Sequence, residues 1–281
     1  MKRGIQNYKI FSIIVIIVIV GVVYVLTRPV DQPASGILQL KPTLGSLTVL
    51  YDNYQFDSNC IPEWGYSCLI ETTESVVLFD TGGDSDILAN NIEALGVDIQ
   101  SIDCIVLSHE HWDHVGGLDV ILSQKPGLTV YVPRDFPYHV KSSIRSMGGE
   151  CVELGNASKL SDSIAVTDTL IGPPVEQGLI VKIHEGVILV TGCSHPGVQN
   201  LARNTYELTD DVIQLVIGGY HLGGASSYML GEICDELDEI GVVSVSPSHC
   251  TGDDSKVYFR ERYSEHFIES GVGFHIDLES L

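Results

Sequence analysis

The chain is predicted to be an α/β layered domain carried behind a single N-terminal membrane helix. Three observations lead there. From about residue 37 onward, short Val- and Ile-rich runs alternate with helical stretches. Residues 10–26, IFSIIVIIVIVGVVYVL, contain no charge, proline or amide side chain. Of the 281 residues, 44% are hydrophobic and 19% charged, which is ample for a buried core and excludes a disordered chain. No repeat or low-complexity tract divides the sequence, so residues 37–281 read as one domain.

The apolar run spans roughly 25 Å as a helix, the short end of what a bilayer requires. It exceeds the about 7–15 apolar residues of a signal peptide, and no A-x-A pattern follows it. An uncleaved anchor over residues 10–27 is therefore the reading taken. A signal cleaved near QPASG, residues 32–36, is the alternative. Lys2, Arg3 and Lys9 precede the run, whereas Arg28 and then Asp31 follow it. Positive charge favours the cytoplasmic side, which puts the tail 1–9 inside and exports the domain through a linker, 28–36. The expected location is the cell membrane, single-pass, with the domain outside.

Charge narrows the partners. The chain has 15 Lys+Arg and 37 Asp+Glu, a net −22. Four of the cations precede residue 31 and none of the acids do, so the remaining 11 cations face all 37 acids, a net −26. Such a surface repels phosphate backbones, and nucleic acid is not an expected partner. The acidity suits high salt or solubility at a cell surface. Seven cysteines are an odd number, so at least one is unpaired; Cys60 and Cys68 are the plausible local pair. Asn156-Ala157-Ser158 is a glycosylation sequon, relevant only in a compartment that glycosylates.

The elements follow in order. Strands are predicted at 38–42, 46–51, 67–71, 75–79, 103–107, 128–132, 179–183, 186–191, 212–217 and 242–246. Helices are predicted at 84–95, 115–124, 136–147, 196–208 and 226–240.

The most informative segment is LSHEHWDHVGGL, residues 107–118, with His109, His111, Asp113 and His114 inside six residues. In an extended loop, residues two apart point the same way, so His109 and His111 can share one ion. Asp113 and His114, at the turn into the next helix, would face a second ion. Gly116 and Gly117 would let the backbone turn against the site. Imidazole with carboxylate suits zinc, iron or manganese. A polar loop that merely collects three of ten histidines after an apolar strand is the bland alternative. Glu110 and Trp112 occupy the intervening positions and should point away, with Trp112 packing the loop.

The H-E-H-W-D-H segment resembles the H-x-H-x-D-H signature of the metallo-β-lactamase superfamily. That resemblance implies an αββα sandwich of two mixed sheets with helices outside and metals at one edge. Asp80-Thr81-Gly82-Gly83 is similar to the family's first motif, whose Asp lies near the metals and orients the histidine loop; capping of helix 84–95 is a compatible role. The runs TGCSHPG (191–197), GGYHL (218–222), SHCTG (248–252), YDNYQ (51–55) and WGYSCLIE (64–71) look like one branch. It is named for 7,8-dihydropterin-6-methyl-4-(β-D-ribofuranosyl)aminobenzene 5′-phosphate synthase. The resemblance runs from about residue 46 to 275.

Carried over, it implies His195 and His249 as further ligands and His221 as a ligand or substrate contact. The family's usual bridging Asp falls near Cys193, which either ligates as a thiolate or is an unliganded buried thiol beside a looser second site. His139, His184, His266 and His275 read as ordinary surface or packing residues.

The expected cofactors are two divalent ions, Zn2+ first, with Fe or Mn as alternatives. A bridging hydroxide between two such ions would attack an ester, lactone, amide or phosphodiester in a small-molecule substrate. Asp113 would ligate and orient the attacking water, and Asp80 would set a histidine tautomer; these two are the expected catalytic residues. Three rivals remain: the transferase reaction of the branch name, di-iron redox chemistry, and a metal-dependent sensing module without turnover. Redox members usually have Glu where His111 stands and carry a flavin domain absent here. P-loop and dinucleotide-binding glycine motifs are also absent. Oligomeric state is left open.

Overall fold

In the computed structural model, residues 36–281 are described. The expected anchor at 10–27, the tail and most of the linker lie outside the described residues. Among those described, no helix is long and apolar enough to cross a membrane.

Two sheets carry the domain. The first is built from β1 (Gly45–Tyr51), β2 (Ser67–Thr72), β3 (Val76–Phe79), β4 (Cys104–Val106), β5 (Thr129–Pro133) and β6 (Glu150–Leu154). The second comprises β7 (Ser158–Lys159), β8 (Ile164–Val166), β9 (Leu179–Lys182), β10 (Val187–Thr191), β11 (Ile213–Gly219) and β12 (Val242–Ser248). The last strand, β13 (His275–Asp277), returns to the first sheet, giving orders β13-β1-β2-β3-β4-β5-β6 and β12-β11-β10-β9-β8-β7. Each sheet is antiparallel on one side and parallel on the other: β3 to β6 run parallel, as do β10 to β12.

Side-chain alternation explains the layers. Val49, Cys68, Val77, Phe79 and Val106 face Val166, Leu179, Val181, Ile188, Val190 and Leu215 across the gap between the sheets. The intervening residues Leu50, Leu69, Leu78 and Ile105 face the other way. They meet Leu88 and Ile92 of α1 (Ser85–Ala94), then Ile121 and Leu122, and Ile144. Here α2 is Trp112–Val115, α3 Leu118–Gln124 and α4 Tyr138–Ser146. On the second sheet, Ile180, Leu189 and Val216 meet α5 (Val198–Thr209), α6 (Ser227–Ile240) and α7 (Asp253–Tyr263) through Leu201, Ile233, Leu237 and Phe259. The architecture is the expected αββα sandwich. Strands buried on both faces read as continuous apolar runs, which is why the sequence located most of them.

Several expectations need correction. Residues 38–42 form no strand; Leu38 and Leu40 are half-buried against the outer core of the second sheet, with the Leu38 amide donating to the Leu208 carbonyl. The helix expected at 115–124 is broken into α2 and α3 by Gly116-Gly117. Strands β6, β7, β8 and β13 and helix α7 were not anticipated. Helix α7 buries Ser255 and Lys256 beside Phe259 and Tyr263, so its inner face lacks an apolar period. All seven cysteines are free, and Cys60–Cys68 is not a disulfide. Cys68 is paired between Val49 and Phe79 in the inter-sheet core, whereas Cys60 lies on the loop after β1, its carbonyl accepting from Gln55 Nε2.

Candidate metal centre

The candidate donors leave the carboxyl ends of parallel strands, where open α/β sheets gather ligands. Asp80 follows β3, the 108–114 segment follows β4, Cys193 and His195 follow β10, His221 follows β11, and His249 and Cys250 follow β12. Six non-glycine residues have positive φ among those described, and four belong here: Asp80 (56°), Ser194 (62°), His221 (52°) and His249 (49°). Each such conformation costs on the order of 1–3 kcal/mol and persists only where its surroundings enforce it, as at functional sites.

Asp80 is fully buried and supports the histidine loop from behind. Its Oδ1 accepts from the Ser108 amide at 2.7 Å, and its Oδ2 accepts from Ser108 Oγ at 2.6 Å and lies 2.7 Å from His114 Nδ1. Ser108 Oγ in turn stands 2.9 Å from His109 Nδ1. Both imidazoles thereby present Nε2 forward. His249 is aimed in the same way: Asn53 Oδ1 lies 2.9 Å from its Nδ1, and Asn53 Nδ2 donates to its carbonyl.

The rings of His109, His111 and His195 form a triangle with all three centroid separations 4.8 Å, and His195 Nε2 lies 3.2 Å from His111 Nδ1. On the other side of His109, Asp113 Oδ2 lies 3.3 Å from His249 Nε2 and 3.8 Å from His114 Nε2. Cys193 joins the two groups, its Sγ 3.2 Å from His114 Nε2. Donor atoms of His109, Cys193 and His195 lie within 4.8 Å of one another, as do those of His114, Cys193 and His249. His221 lies beside this pair of groups, its ring 4.2 Å from that of His195. The structure thus brings together His109, His111, Asp113, His114, His195, His221 and His249, with Asp80 behind them. His139, His184, His266 and His275 are exposed elsewhere. Glu110 and Trp112 occupy the outward positions, Trp112 being 63% exposed and covering Gly83.

The electrostatics favour a cation. Burial and the neighbouring imidazoles hold His109 well below the usual histidine range, and burial lowers His111. Burial, with His221 and His111 adding to it, pushes His195 down to about 3. Each shift favours the uncharged ring, the form that can ligate a metal. Burial would lower His114 too, but the Asp80 carboxylate outweighs it and raises the group to about 8. Burial would raise Asp113; the hydrogen bond from His249 and the charge of His114 override it and hold the carboxyl well below its ordinary value. Burial pushes the Cys193 thiol upward. His109 Nε2 is buried with no hydrogen-bond partner, and His249 Nε2 has only the Asp113 carboxylate beside it. Buried donor atoms clustered within 4.8 Å of one another, one of them unpartnered, fit a divalent ion, whose charge satisfies them. His109, His111 and His195 with Cys193 could hold one ion, and Asp113, His114 and His249 with Cys193 a second.

Sequence reasoning missed Glu176, the carboxylate beneath the second donor loop. Its Oε1 accepts from the amides of Cys193 (2.9 Å) and Ser194 (2.8 Å), and its Oε2 from the amide of His195 (2.8 Å). Burial pushes this carboxyl up to about 7 against the pull of those three donors. The next residue, Gln177, donates from its amide to the Ser108 carbonyl and from Nε2 to that of Leu107. One short segment therefore ties down both donor loops. A lone Glu seventeen to nineteen positions from its partners leaves no local pattern. Asn53, 196 positions from His249, is equally silent, although YDNYQ belonged to the resemblance. The glycine pair after His114 acts by close approach: Gly116 has φ −67°, and a Cβ there would stand 2.3 Å from the Gly83 carbonyl oxygen.

A two-sheet αββα sandwich with this histidine loop at its edge defines a class, and residues 64–201 match the metallo-beta-lactamase superfamily. The chain carries a metallo-β-lactamase superfamily domain. It is 26% identical, over an alignment of 278 residues, to the 7,8-dihydropterin-6-methyl-4-(β-D-ribofuranosyl)-aminobenzene-5′-phosphate synthase of Methanocaldococcus jannaschii, covering 80% of this chain and 94% of that protein. Among solved structures, it superposes on Tm1679, described as a metal-dependent hydrolase of the beta-lactamase superfamily, with TM-score 0.71, 23% identity and coverage of 83% and 98% of the two chains. It also superposes on the metallo-beta-lactamase fold protein YhfI from Bacillus subtilis, with TM-score 0.64, 15% identity and coverage of 83% and 99%.

Proposed function

We propose that the protein is a membrane-anchored, metal-dependent hydrolase whose residues 37–281 act outside the cell membrane on a small molecule bearing an ester, lactone, amide or phosphodiester. The observation that carries this reading is the pair of buried donor groups sharing Cys193, with His109 Nε2 left unpartnered among them. Two divalent ions, Zn2+ first, would polarise the substrate's carbonyl or phosphoryl oxygen and lower the pKa of water from 15.7 towards about 7. The protein's own part is positional. Asp80, Ser108 and Asn53 fix which nitrogen His114, His109 and His249 present, and Glu176 fixes the loop of Cys193 and His195. Asp113, its carboxyl held well below the ordinary range and only 6% exposed, is the group placed to accept a hydrogen bond from an attacking water and orient it. Trp64, whose ring is 4.9 Å from that of His249 and 44% exposed, offers an apolar wall beside the centre.

The full-length chain, loaded with zinc and assayed against esters, lactones and phosphodiesters, tests this. Alanine at His111 or Asp113 should abolish turnover while circular dichroism stays that of the parent. Hydrolysis unchanged in both variants removes the proposal. A second reading, a synthase joining a pterin to an aminobenzene ribosyl phosphate, has the 26% identity to the archaeal enzyme in its favour. An exported domain has no obvious supply of such intermediates. Cytoplasmic location of residues 37–281, with condensation and no hydrolysis, would favour the synthase.

A further inference from the structure

Cys193 also belongs to a third donor set, whose other members, Cys250 and His221, are needed by neither ion of the hydrolytic centre. Its Sγ, the Sγ of Cys250 and a ring nitrogen of His221 all lie within 4.8 Å of one another. The arrangement is built by the backbone. A Cβ on Gly219, at the end of β11, would stand 2.7 Å from Cys250 Sγ and 2.4 Å from the Gly192 carbonyl oxygen. Only glycine lets the two cysteine loops close on each other there. His221 is locked beside them in the left-handed region. Its neighbours are clamped to the segment that carries Cys250: the Tyr220 amide donates to Thr251 Oγ1 at 3.1 Å, and Ser255 Oγ donates to the Leu222 carbonyl at 2.7 Å.

Cys193 Sγ also lies 3.2 Å from His114 Nε2, but the sulfur of Cys250 has little other use. Cys250 Sγ makes one long contact, 3.7 Å to the Cys193 carbonyl. Two cysteines and a histidine around an open fourth position are a recognised zinc arrangement, and thiolates select soft ions over those that prefer oxygen. Cys193 and Cys250 are buried at 3% and 8% exposure, whereas His221 is exposed, so an ion would enter past the imidazole.

We propose that Cys193, Cys250 and His221 form a separate soft-metal site for a thiophilic d10 cation such as Zn2+ or Cu+. Because Cys193 is common to all three sets, an ion here competes with the hydrolytic centre for the shared sulfur. The site shares Cys193 with the neighbouring centre but does not depend on which reaction that centre runs.

The test uses Cd2+ as the probe on the metal-free full-length chain, read by thiolate-to-cadmium charge-transfer absorption. The band should saturate at one cadmium per chain. Cys250→Ala should lower it to about half, one thiolate of two remaining, and His221→Ala should keep the band while weakening cadmium affinity about tenfold or more. A band unchanged by Cys250→Ala overturns the site. Cadmium NMR of the unmutated protein guards against a variant that fails to fold: a resonance in the two-thiolate range supports the site, and its absence overturns it. A His109→Ala/His249→Ala double variant separates the two proposals. It should lose hydrolysis yet retain the band, and loss of the band in that folded variant also overturns the site.

Discussion

Three imidazoles at the centre are each aimed by a neighbour that occupies their second nitrogen: Ser108 for His109, Asp80 for His114 and Asn53 for His249. Such outer partners typically contribute 10–100-fold to metal affinity. Asp80→Asn should therefore weaken zinc binding by about that factor in a chelator competition, with the far-ultraviolet spectrum intact. Asp52, the residue before Asn53, makes a cleaner electrostatic test. It is fully buried, its Oδ1 accepts from the Tyr54 amide, and its Oδ2 has no protein partner. Burial pushes its carboxyl up to about 6 from an ordinary 3.8. Between those values the folded chain keeps a proton that the unfolded chain has lost, so rising pH through this window removes stability. Asp52→Asn cannot titrate, and in metal-free protein it should gain on the parent by up to about 3 kcal/mol between pH 4 and pH 7 in urea unfolding. A flat difference across that range would mean that Asp52 stays ionised. At this scale the sequence was readable where chemistry is local. The H-x-H-x-D-H loop stands within six residues, while Glu176 and Asn53 act across the fold on partners that no spacing announces.

Among the elements, legibility followed burial and length together: β8 is buried throughout, but its three residues are too few to show a run. Strands β1 to β5 and β9 to β11 sit between two apolar layers, and their runs of Val, Ile and Leu reveal them. Strand β6 alternates partly exposed and charged positions at the edge of its sheet, β7 and β13 are two or three residues long, and α7 buries a lysine; none carries an apolar period. The break between α2 and α3 was invisible as a helix end because its cause lies in another segment. Residues 80–83 pass against Gly116, and the Gly116 amide donates to the Gly82 carbonyl at 2.8 Å. Gly116→Ala would drive a methyl into the Gly83 carbonyl. It should cost about 1–3 kcal/mol in unfolding free energy and reduce metal affinity, because Asp113 and His114 precede it on α2. Unchanged stability would mean that the 80–83 segment yields freely.

For the molecule as a whole, the first sheet contributes His109, His111, Asp113 and His114, and the second contributes Cys193, His195, His221, His249 and Cys250. Ions bound between them stabilise only the folded arrangement. Zinc at a hundred times its dissociation constant should add about 2.7 kcal/mol per site, and a chelator should lower the melting temperature by several degrees. A melt indifferent to chelator would mean that the donors hold no ion under those conditions. The Glu176–Gln177 segment already bonds the 107–108 loop to the 193–195 loop through protein hydrogen bonds alone. Metal capture is then a matter of ligand exchange at a prepared pocket. Its rate should rise in proportion to ion concentration, with no plateau set by the chain rearranging itself.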